Sequence, residues 1–554
     1  MKPLDPETLA LDGTLVVEAS AGTGKTYTIT SLFLRLLVEH ALSVDQILVV
    51  TYTRAATAEL RDRIRKRVAG ALAIARGESS DDALLVRLCA KHPAGLVERL
   101  ERALSGIDEA PVLTIHGFCQ RVLRDLAFES GAAFESQLLA HSAPLLEEIA
   151  DDYFTRELFA ARAERACALL NEPDNLRQLA ARVGGRELRV VPESVTEVAA
   201  DFAAFEGALQ RCRELWSRER AAVIELVRSL KRVGNNADKW SDTVHALLQE
   251  GDAKALSTAA SFTYFTRSGA IKHAKSTPPS HPFLDAAEEL LTHADACARA
   301  SQAEQLGFRR KFVDYVQDEL DRRAREFRVR TFDALLSDLD RALRSANGPA
   351  LVDRLRAKYH AALVDEFQDT DPVQYRIFRR IFAGGHTPLL LIGDPKQAIY
   401  GFRGADVAAY LTARNEAGER VYTLDVNWRS DPSLIEALNT LYARVEQPFS
   451  LPQISYQPVR AAQVDRLRSR EPRPPLDIAW IANPSGNSDV LDRQVAAHVA
   501  CDIAALLASD TLRRDGERMR PLRASDIAVL CRKNKQAAMV QEALSERRIP
   551  SVLS

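Results

Sequence analysis

The sequence predicts an α/β protein in which a parallel, doubly wound sheet is interrupted by a large helical insertion. Near the N-terminus, short apolar runs alternate with segments whose apolar residues recur at helical spacing. Leu15–Val17, Ile47–Val50 and Val112–Ile115 are the predicted strands, and helices are expected after Lys25 and from Arg54. This βαβ alternation favours a parallel sheet, whose ligands lie at the carboxyl ends of its strands.

The alternation stops in the middle of the chain and then resumes. Between residues 145 and 330 the pattern is mostly helical, with charged residues on one face and Leu or Ala on the other. Strand patterns return at Ala361–Val364, Leu389–Ile392 and Tyr422–Leu424. One sheet domain is therefore expected on both sides of a helical insertion.

A second sheet domain is expected in the C-terminal part of the chain. The Pro- and Arg-rich stretch Arg468–Pro475 is typical of a loop or linker. Beyond it, Ile478–Ile481 and Ile527–Leu530 are predicted to be strands. The chain is expected to end inside this second domain.

The composition indicates a large protein with several domains but does not indicate what it binds. With 554 residues, of which 46% are hydrophobic, the chain can form several domains with buried cores. A net charge of −2 neither favours nor excludes nucleic acid, because a neutral body can carry a local basic groove. The seven cysteines are scattered without a CxxC pair, which disfavours a zinc site and fits a reducing compartment. With neither a secretory leader pattern nor an 18-residue apolar run, the sequence predicts a cytoplasmic protein.

A glycine-rich segment between the first predicted strand and the first predicted helix has the composition of a phosphate-binding loop. Its residues are Ala19, Ser20, Ala21, Gly22, Thr23, Gly24, Lys25 and Thr26. Backbone N–H groups of such a loop face an anion, Lys25 would reach the β- and γ-phosphates, and Thr26 would bind Mg²⁺. The alternative is a strand–helix turn that binds nothing.

Two acids follow the predicted strand Ala361–Val364, at the sheet edge where ligands are expected. Asp365 suits coordination of Mg²⁺, and Glu366 suits polarising a water molecule that attacks the γ-phosphate. The alternative is a pair of solvated acids at a strand end. Together with the upstream loop, the pair predicts hydrolysis of a nucleoside triphosphate.

Six further segments stand out in order along the chain: Val50–Ala56 (VTYTRAA), Thr114–Cys119 (TIHGFC), Asp365–Asp371 (DEFQDTD), Gly393–Asp406 (GDPKQAIYGFRGAD), Leu424–Ser430 (LDVNWRS) and Asp526–Arg532. Together they resemble motifs of the UvrD/Rep class of superfamily 1 DNA helicases, with Thr114–Cys119 similar to a THSF-type segment. The resemblance implies a RecA-like P-loop NTPase fold and use of ATP with Mg²⁺.

Within this class, the chain most resembles the RecB branch, the subunits of RecBCD-type helicase–nucleases. EASAGTGKT, the GDPKQAIYGFRGAD segment, NWRS, Arg330–Asp340 and the terminal IPSVLS carry this likeness. It implies a first RecA-like domain from 1–145 plus 330–435, a helical insertion from 146–329, and a truncated second RecA-like domain from 436–554. Further motifs and a nuclease domain are expected beyond Ser554.

The resemblance adds three residues to the expected ATP site. Gln397 matches the glutamine that senses the γ-phosphate, Arg429 matches an arginine finger, and Trp428 matches an aromatic residue that stacks on adenine. Each has a structural alternative. Gln397 could be a turn residue after Pro395, Arg429 could form a surface salt bridge, and Trp428 could pack in the core. The glutamine with which the family reads adenine is not evident in Leu4–Gly13.

The resemblance also implies a set of DNA contacts, since aromatic rings stack on bases and arginine binds phosphate. The matching residues are Tyr52, Thr53, His116, Tyr400, Phe402 and Arg403. His116 could equally be a satisfied histidine at a strand end. A basic run from Lys231 to Trp240 could contact a duplex, but a solvated helix face is the favoured interpretation.

The expected function is that of an ATP-dependent 3′→5′ DNA helicase or translocase in double-strand break repair and recombination. Its expected partners are a single-stranded DNA tail, a duplex end, and RecC-like and RecD-like subunits. The alternatives are an AddA-type or stand-alone UvrD-type helicase, and a nucleotide- and DNA-binding module without turnover. Nothing in the spacing of the residues gives the direction of travel.

Overall fold

The structure is a computed structural model, and it describes the chain except for residues 128–136, 140–141, 161–172, 185–189, 197, 232, 234–235, 276, 386, 402–405, 472, 483–485 and 554. The chain divides into two compact units. The first combines Met1–Phe134 with Asp338–Ser554, and the second is Glu135–Ser337. The division into the three predicted domains stays a prediction.

The first unit is built on a seven-stranded sheet in which all neighbouring strands are parallel. In chain order, the strands of the described residues are β1 (Lys2–Pro3), β2 (Thr14–Ala19), β3 (Ile47–Thr51), β4 (Val112–Thr114), β5 (Gln137–Leu138), β6 (Val329–Arg330), β7 (Ala361–Val364), β8 (Leu389–Gly393), β9 (Val421–Leu424), β10 (Val426–Asn427), β11 (Arg460–Ala461), β12 (Leu467–Arg468), β13 (Leu512–Asp515) and β14 (Arg518–Pro521). The strand order of the seven-stranded sheet is β1-β9-β2-β8-β7-β3-β4, which confirms the predicted α/β class and its parallel sheet.

Three neighbouring strands of this sheet, β3, β7 and β8, are almost entirely apolar because both of their faces are covered. Every residue of these strands is buried, and their sequences, ILVVT, AALV and LLLIG, do not alternate with polar residues. The helices of this unit are Lys25–Glu39, Arg54–Ala75, Ala83–Lys91, Leu96–Ser105, Ile115–Asp125, Gly348–Lys358, Pro372–Phe382, Val407–Ala417, Pro432–Ala443, Ser488–Ala508 and Asn534–Glu546. A further helix, Phe332–Arg344, includes the residues at which the chain passes from the second unit to the first.

The second unit is helical, as the insertion was predicted to be. Two apolar clusters form its core, one around Trp216 and Phe283 and the other around Tyr153 and Phe312. Its strands β5 and β6 form one short parallel pair. Its helices are Ala143–Ala160, Pro173–Val183, Phe202–Arg228, Asn236–Glu250, Ala253–Thr258, Arg267–His273 and Pro282–Glu326.

The two strands predicted in the C-terminal part are wrong. Neither Ile478–Ile481 nor Ile527–Leu530 is a strand. A strand needs a neighbour to complete its backbone hydrogen bonds, and within the described part of the chain no strand pairs with either segment. Their side chains are correspondingly exposed, with Trp480 at 93% and Leu530 at 98%. The sheet that does form in this region is antiparallel and joins β12, β13 and β14.

None of the helices in the described ranges combines the length and the apolar character required to cross a lipid bilayer.

Candidate active site

The glycine-rich loop lies between the carboxyl end of β2 and the helix Lys25–Glu39. Gly22 and Gly24 have φ of +79° and +89°, in the left-handed region that glycine adopts without strain. Within the loop, the Thr23 hydroxyl donates to the Ser20 carbonyl oxygen at 2.7 Å. The helix begins at Lys25, and its N-cap, Gly24, contributes no capping side chain. A loop of this shape directs backbone N–H groups and the positive end of the helix dipole towards an anion.

The segment Asn427–Arg429 packs directly on this loop although it lies four hundred residues away in the chain. The Asn427 amide donates to the Ala21 carbonyl oxygen at 2.9 Å, and the Trp428 N–H donates to the Gly22 carbonyl oxygen at 2.7 Å. A Cβ atom on Gly22 would lie 2.7 Å from Cβ of Arg429. Tight packing therefore fixes the position of Trp428 and Arg429 beside the loop.

The acids that follow β7 meet the loop lysine. Nζ of Lys25 lies 3.0 Å from Oε2 of Glu366, and Oδ1 of Asp365 accepts a hydrogen bond from the Glu366 N–H at 2.9 Å. Glu366 has φ of +51°, a left-handed conformation that is uncommon for a residue with a side chain. The sheet thus brings together the predicted lysine, metal carboxylate and water-polarising carboxylate.

Burial and mutual repulsion both act on the acids of this site. Burial, and then the charge of Glu366, raises the pKa of Asp365 to about 6, and the same two causes raise the pKa of Asp369 to about 6. Among the described residues, the acids Asp365, Glu366 and Asp369 thus lie close to one another beside Lys25, an arrangement that a divalent cation would relieve. No group of three or more protein ligands for a metal occurs among the described residues. A site with few protein ligands still fits Mg²⁺, which keeps several waters and binds substrate phosphates.

A chain of hydrogen bonds links these acids to Gln397. The Gln397 side chain donates to Oδ2 of Asp394 at 2.7 Å, and Lys396 is ion-paired with Oδ1 of the same carboxylate at 2.7 Å. The Asp394 N–H donates to Oε1 of Gln368 at 2.9 Å, and the Gln368 amide donates to Oε2 of Glu366 at 2.8 Å. Gln397 lies in a short 3-10 helix, Pro395–Gln397, so the turn predicted as its alternative is also present.

Trp428 and Arg429 are exposed beside the loop. The Trp428 side chain is 61% exposed, which does not fit the core-packing alternative. Arg429 is also exposed, and in the described part of the chain its guanidinium has no acidic partner within ion-pair distance, so the salt-bridge alternative does not fit either. Both side chains are thus accessible to a ligand held by the loop.

Two of the predicted DNA-contacting residues meet, although they are far apart in the chain. The rings of Tyr52 and Tyr400 are stacked, with centroids 5.8 Å apart and planes at 24°. Thr53 is exposed, and its hydroxyl caps the helix Arg54–Ala75 by accepting from the Ala56 N–H at 3.1 Å. His116 lies in the first turn of the helix Ile115–Asp125. Phe402 and Arg403 lie outside the described residues.

The basic run Lys231–Trp240 belongs to the second unit, and Arg232, Gly234 and Asn235 lie outside the described residues. Trp240 packs on Tyr264, with ring centroids 4.6 Å apart, and Tyr264 stacks on His273 at the same separation. Packing within the unit accounts for this tryptophan.

Two residues of the site were missed by sequence reasoning. Asn427 joins the NWRS segment to the loop: its amide donates to Ala21, and its Oδ1 accepts from the N–H groups of Arg429 and Ser430 at 2.9 and 2.8 Å. Gln368 joins Glu366 to Asp394. The available signal was that each is an amide next to residues already singled out. The partners Ala21 of Asn427 and Asp394 of Gln368, however, lie too far along the chain to be identified from sequence.

Comparison with known proteins identifies the family to which the chain belongs. Residues 5–418 match the family described as the UvrD/REP helicase N-terminal domain. The chain is 36% identical, over 99% of its length, to the RecBCD enzyme subunit RecB of Escherichia coli strain K12, of which it covers 48%. It is 30% identical to the RecB subunits of Haemophilus influenzae and of Mycobacterium tuberculosis strain H37Rv, over 99% and 97% of this chain and 50% and 40% of those proteins. The chain thus spans about half the length, or less, of these relatives. Since the family match covers most of its residues, this chain belongs to the UvrD/Rep helicase family.

Proposed function

We propose that this chain is the ATP-hydrolysing motor part of a RecB-type subunit, which drives a DNA helicase or translocase in double-strand break repair and recombination. The observation that carries the proposal is the convergence of Lys25, Glu366 and the Asn427–Arg429 segment at the glycine-rich loop. The relatives named RecB, similar over almost the whole of this chain, support the same assignment.

The geometry supports a division of labour during ATP hydrolysis. The loop would bind the phosphates through its backbone N–H groups, and Lys25 would leave Glu366 to contact the β- and γ-phosphates. Glu366, released from the lysine, would polarise the attacking water, and the planar guanidinium of Arg429 would stabilise charge on the phosphate. The exposed Trp428 ring would contact the adenine, and Gln397 would contact the γ-phosphate.

Mg²⁺ fits the acidic end of β7, where Thr26 and Asp365 would hold it. When bound, the cation would supply positive charge against the phosphate oxygens. The protein residues would act from fixed positions. Lys25 and Arg429 would place positive charge beside the phosphates, and Glu366 would accept a proton from the attacking water.

DNA is the proposed second substrate, and the stacked pair Tyr52 and Tyr400 would offer aromatic surface to the bases of a single strand. Thr53, His116, Phe402 and Arg403 are proposed to contact the same strand. By likeness to RecB, we propose 3′→5′ travel, assembly with RecC-like and RecD-like subunits, and action in the cytoplasm. Nuclease activity is proposed only for a part of the protein outside these 554 residues.

The test is ATP hydrolysis by the full-length protein, measured with and without single-stranded DNA. We expect DNA to stimulate the rate and Lys25→Ala to abolish it. Lys66→Ala is the matched control, because Lys66 is an exposed lysine that pairs with Asp62 on its own helix. If Lys25→Ala still hydrolyses ATP, the glycine-rich loop is not the ATP site. If DNA leaves the wild-type rate unchanged, an ATPase that does not act on DNA is favoured.

A further inference from the structure

Gln368 is a buried amide at the centre of the hydrogen-bond chain between Glu366 and Gln397. Gln368 lies in the short helix Phe367–Asp369, which follows Asp365 and Glu366, and the residue is only 2% exposed. Burying an amide is unfavourable unless its N–H and C=O groups are both hydrogen-bonded. The partners of Gln368 therefore decide why an amide occupies this position.

Both ends of the amide have partners, and the partners fix its orientation. Nε2 donates to Oε2 of Glu366 at 2.8 Å and approaches Oδ2 of Asp369 at 3.3 Å. Oε1 accepts from the Asp394 N–H at 2.9 Å. Flipping the amide would set an oxygen against two carboxylates and an NH₂ group against an N–H, so the donor end must face the acids.

Oε2 of Glu366 is shared by two donors. Lys25 approaches it at 3.0 Å and Gln368 at 2.8 Å. If nucleotide phosphates attract Lys25, as the proposed function requires, the amide of Gln368 remains as a donor to the same carboxylate oxygen. Gln368 would then determine where the carboxylate of Glu366 points while a water molecule attacks the γ-phosphate.

The opposite end of the amide is attached to the segment that carries Gln397. Asp394 donates its N–H to Gln368 and accepts a hydrogen bond from the Gln397 side chain at 2.7 Å. Space for this contact depends on Gly393 at the end of β8, because a Cβ atom there would lie 2.6 Å from Oε1 of Gln368. Gln368 therefore bridges β7 and β8 at the edge where nucleotide is proposed to bind.

We propose that Gln368 is a positioning residue for ATP hydrolysis: its amide holds Glu366 in place after Lys25 moves to the phosphates, and it connects Glu366 to the Asp394–Gln397 segment. The inference rests on the proposed function and deepens it. Gln368 does not touch the reacting atoms, so its removal should impair turnover rather than binding of ATP.

The test compares Gln368→Met with wild type in the full-length protein. Methionine keeps the length of the side chain and removes the donor and acceptor. We expect kcat to fall about tenfold, and KM for ATP and the affinity for a fluorescent ATP analogue to stay within about twofold. Gln374→Met is the matched control, because Gln374 is also buried nearby but its side chain caps the helix Pro372–Phe382 by accepting from the Asp371 N–H. We expect that variant to keep the wild-type kcat.

A double-mutant cycle distinguishes positioning from a general structural role. If Gln368 acts through Glu366, adding Gln368→Met to Glu366→Gln should lower the residual kcat by less than about twofold, because the group it positions is already lost. A purely structural loss would instead lower kcat by the same factor in both backgrounds.

Three outcomes would overturn the inference: an unchanged kcat in Gln368→Met, an equal loss in Gln374→Met, or equal factors in the two backgrounds. Should Gln368→Met fail to fold, Gln368→Asn replaces it, since the shorter amide cannot reach both partners and should show the same loss of kcat. If DNA stimulates ATP hydrolysis by the wild type and Gln368→Met has the wild-type kcat, the inference about Gln368 is wrong but the proposed function stands. If the wild type hydrolyses no ATP, both the proposed function and the inference are wrong.

Discussion

At the scale of single residues, the site depends on close approach between the loop and the NWRS segment. Gly22 shows this dependence most directly, because it has φ of +79° and its Hα faces Arg429 at a distance that leaves no room for a methyl group. Glycine is thus required at position 22 for two reasons: its backbone adopts positive φ, and no side chain would fit against Arg429. For a glycine elsewhere at similar φ, but in open space, only the first reason would apply.

We therefore predict that Gly22→Ala weakens ATP binding by at least about tenfold, by displacing Arg429 and the loop. The control is Gly77→Ala, where φ is +97° and nothing lies within 4 Å of the added Cβ. Both substitutions should lower the free energy of unfolding by about 1–2 kcal/mol through backbone strain. Titration with a fluorescent ATP analogue separates them, and equal affinity for the two variants would contradict the steric argument.

At the scale of elements, the sheet decides which residues meet. β8, β7 and β3 are neighbours and parallel, so the segments that leave their carboxyl ends emerge at one edge. Tyr52 follows β3, Asp365 follows β7, and Tyr400 lies in the segment after β8. The nucleotide site and the aromatic pair are therefore consequences of a single strand order.

This order explains what could be predicted from sequence and what could not. The strands around Val49, Leu363 and Leu391 are continuous apolar runs, a local signal that needs no knowledge of the partner strand. Ile478–Ile481 has a similar local pattern but is not a strand, because strand formation also requires a neighbour. The bridge made by Gln368 escaped prediction for the same reason: its partner Asp394 is 26 residues away.

From the same geometry we predict that Tyr400→Ala weakens binding of single-stranded DNA by about 1–3 kcal/mol, the usual effect of removing one stacking ring. Tyr442→Ala is the control, since Tyr442 is also stacked, at 4.7 Å from Tyr456, but belongs to the helix Pro432–Ala443. Fluorescence anisotropy with a labelled oligonucleotide measures both affinities. If Tyr400→Ala binds DNA as tightly as Tyr442→Ala, the aromatic pair is not a DNA contact.

At the scale of the whole molecule, the two units differ in how the chain builds them. The second unit is one continuous segment, Glu135–Ser337, whose apolar clusters draw all their members from within it. The first unit needs two distant segments, because β2 lies between β8 and β9, and β3 lies between β7 and β4. Residues 1–134 contain the complete glycine-rich loop but lack three of the seven strands of the sheet, β7, β8 and β9.

We predict from this contrast that a fragment of residues 135–337 folds by itself, with helical circular dichroism and one cooperative thermal transition. A fragment of residues 1–134 should show no cooperative transition and bind no ATP analogue, because the strands β7, β8 and β9 that pair with β2 and β3 are missing. The two fragments can be measured side by side against the full chain. Nucleotide binding by residues 1–134 alone would mean that the loop is formed by local interactions, and that the parallel sheet is not what holds Lys25 in place.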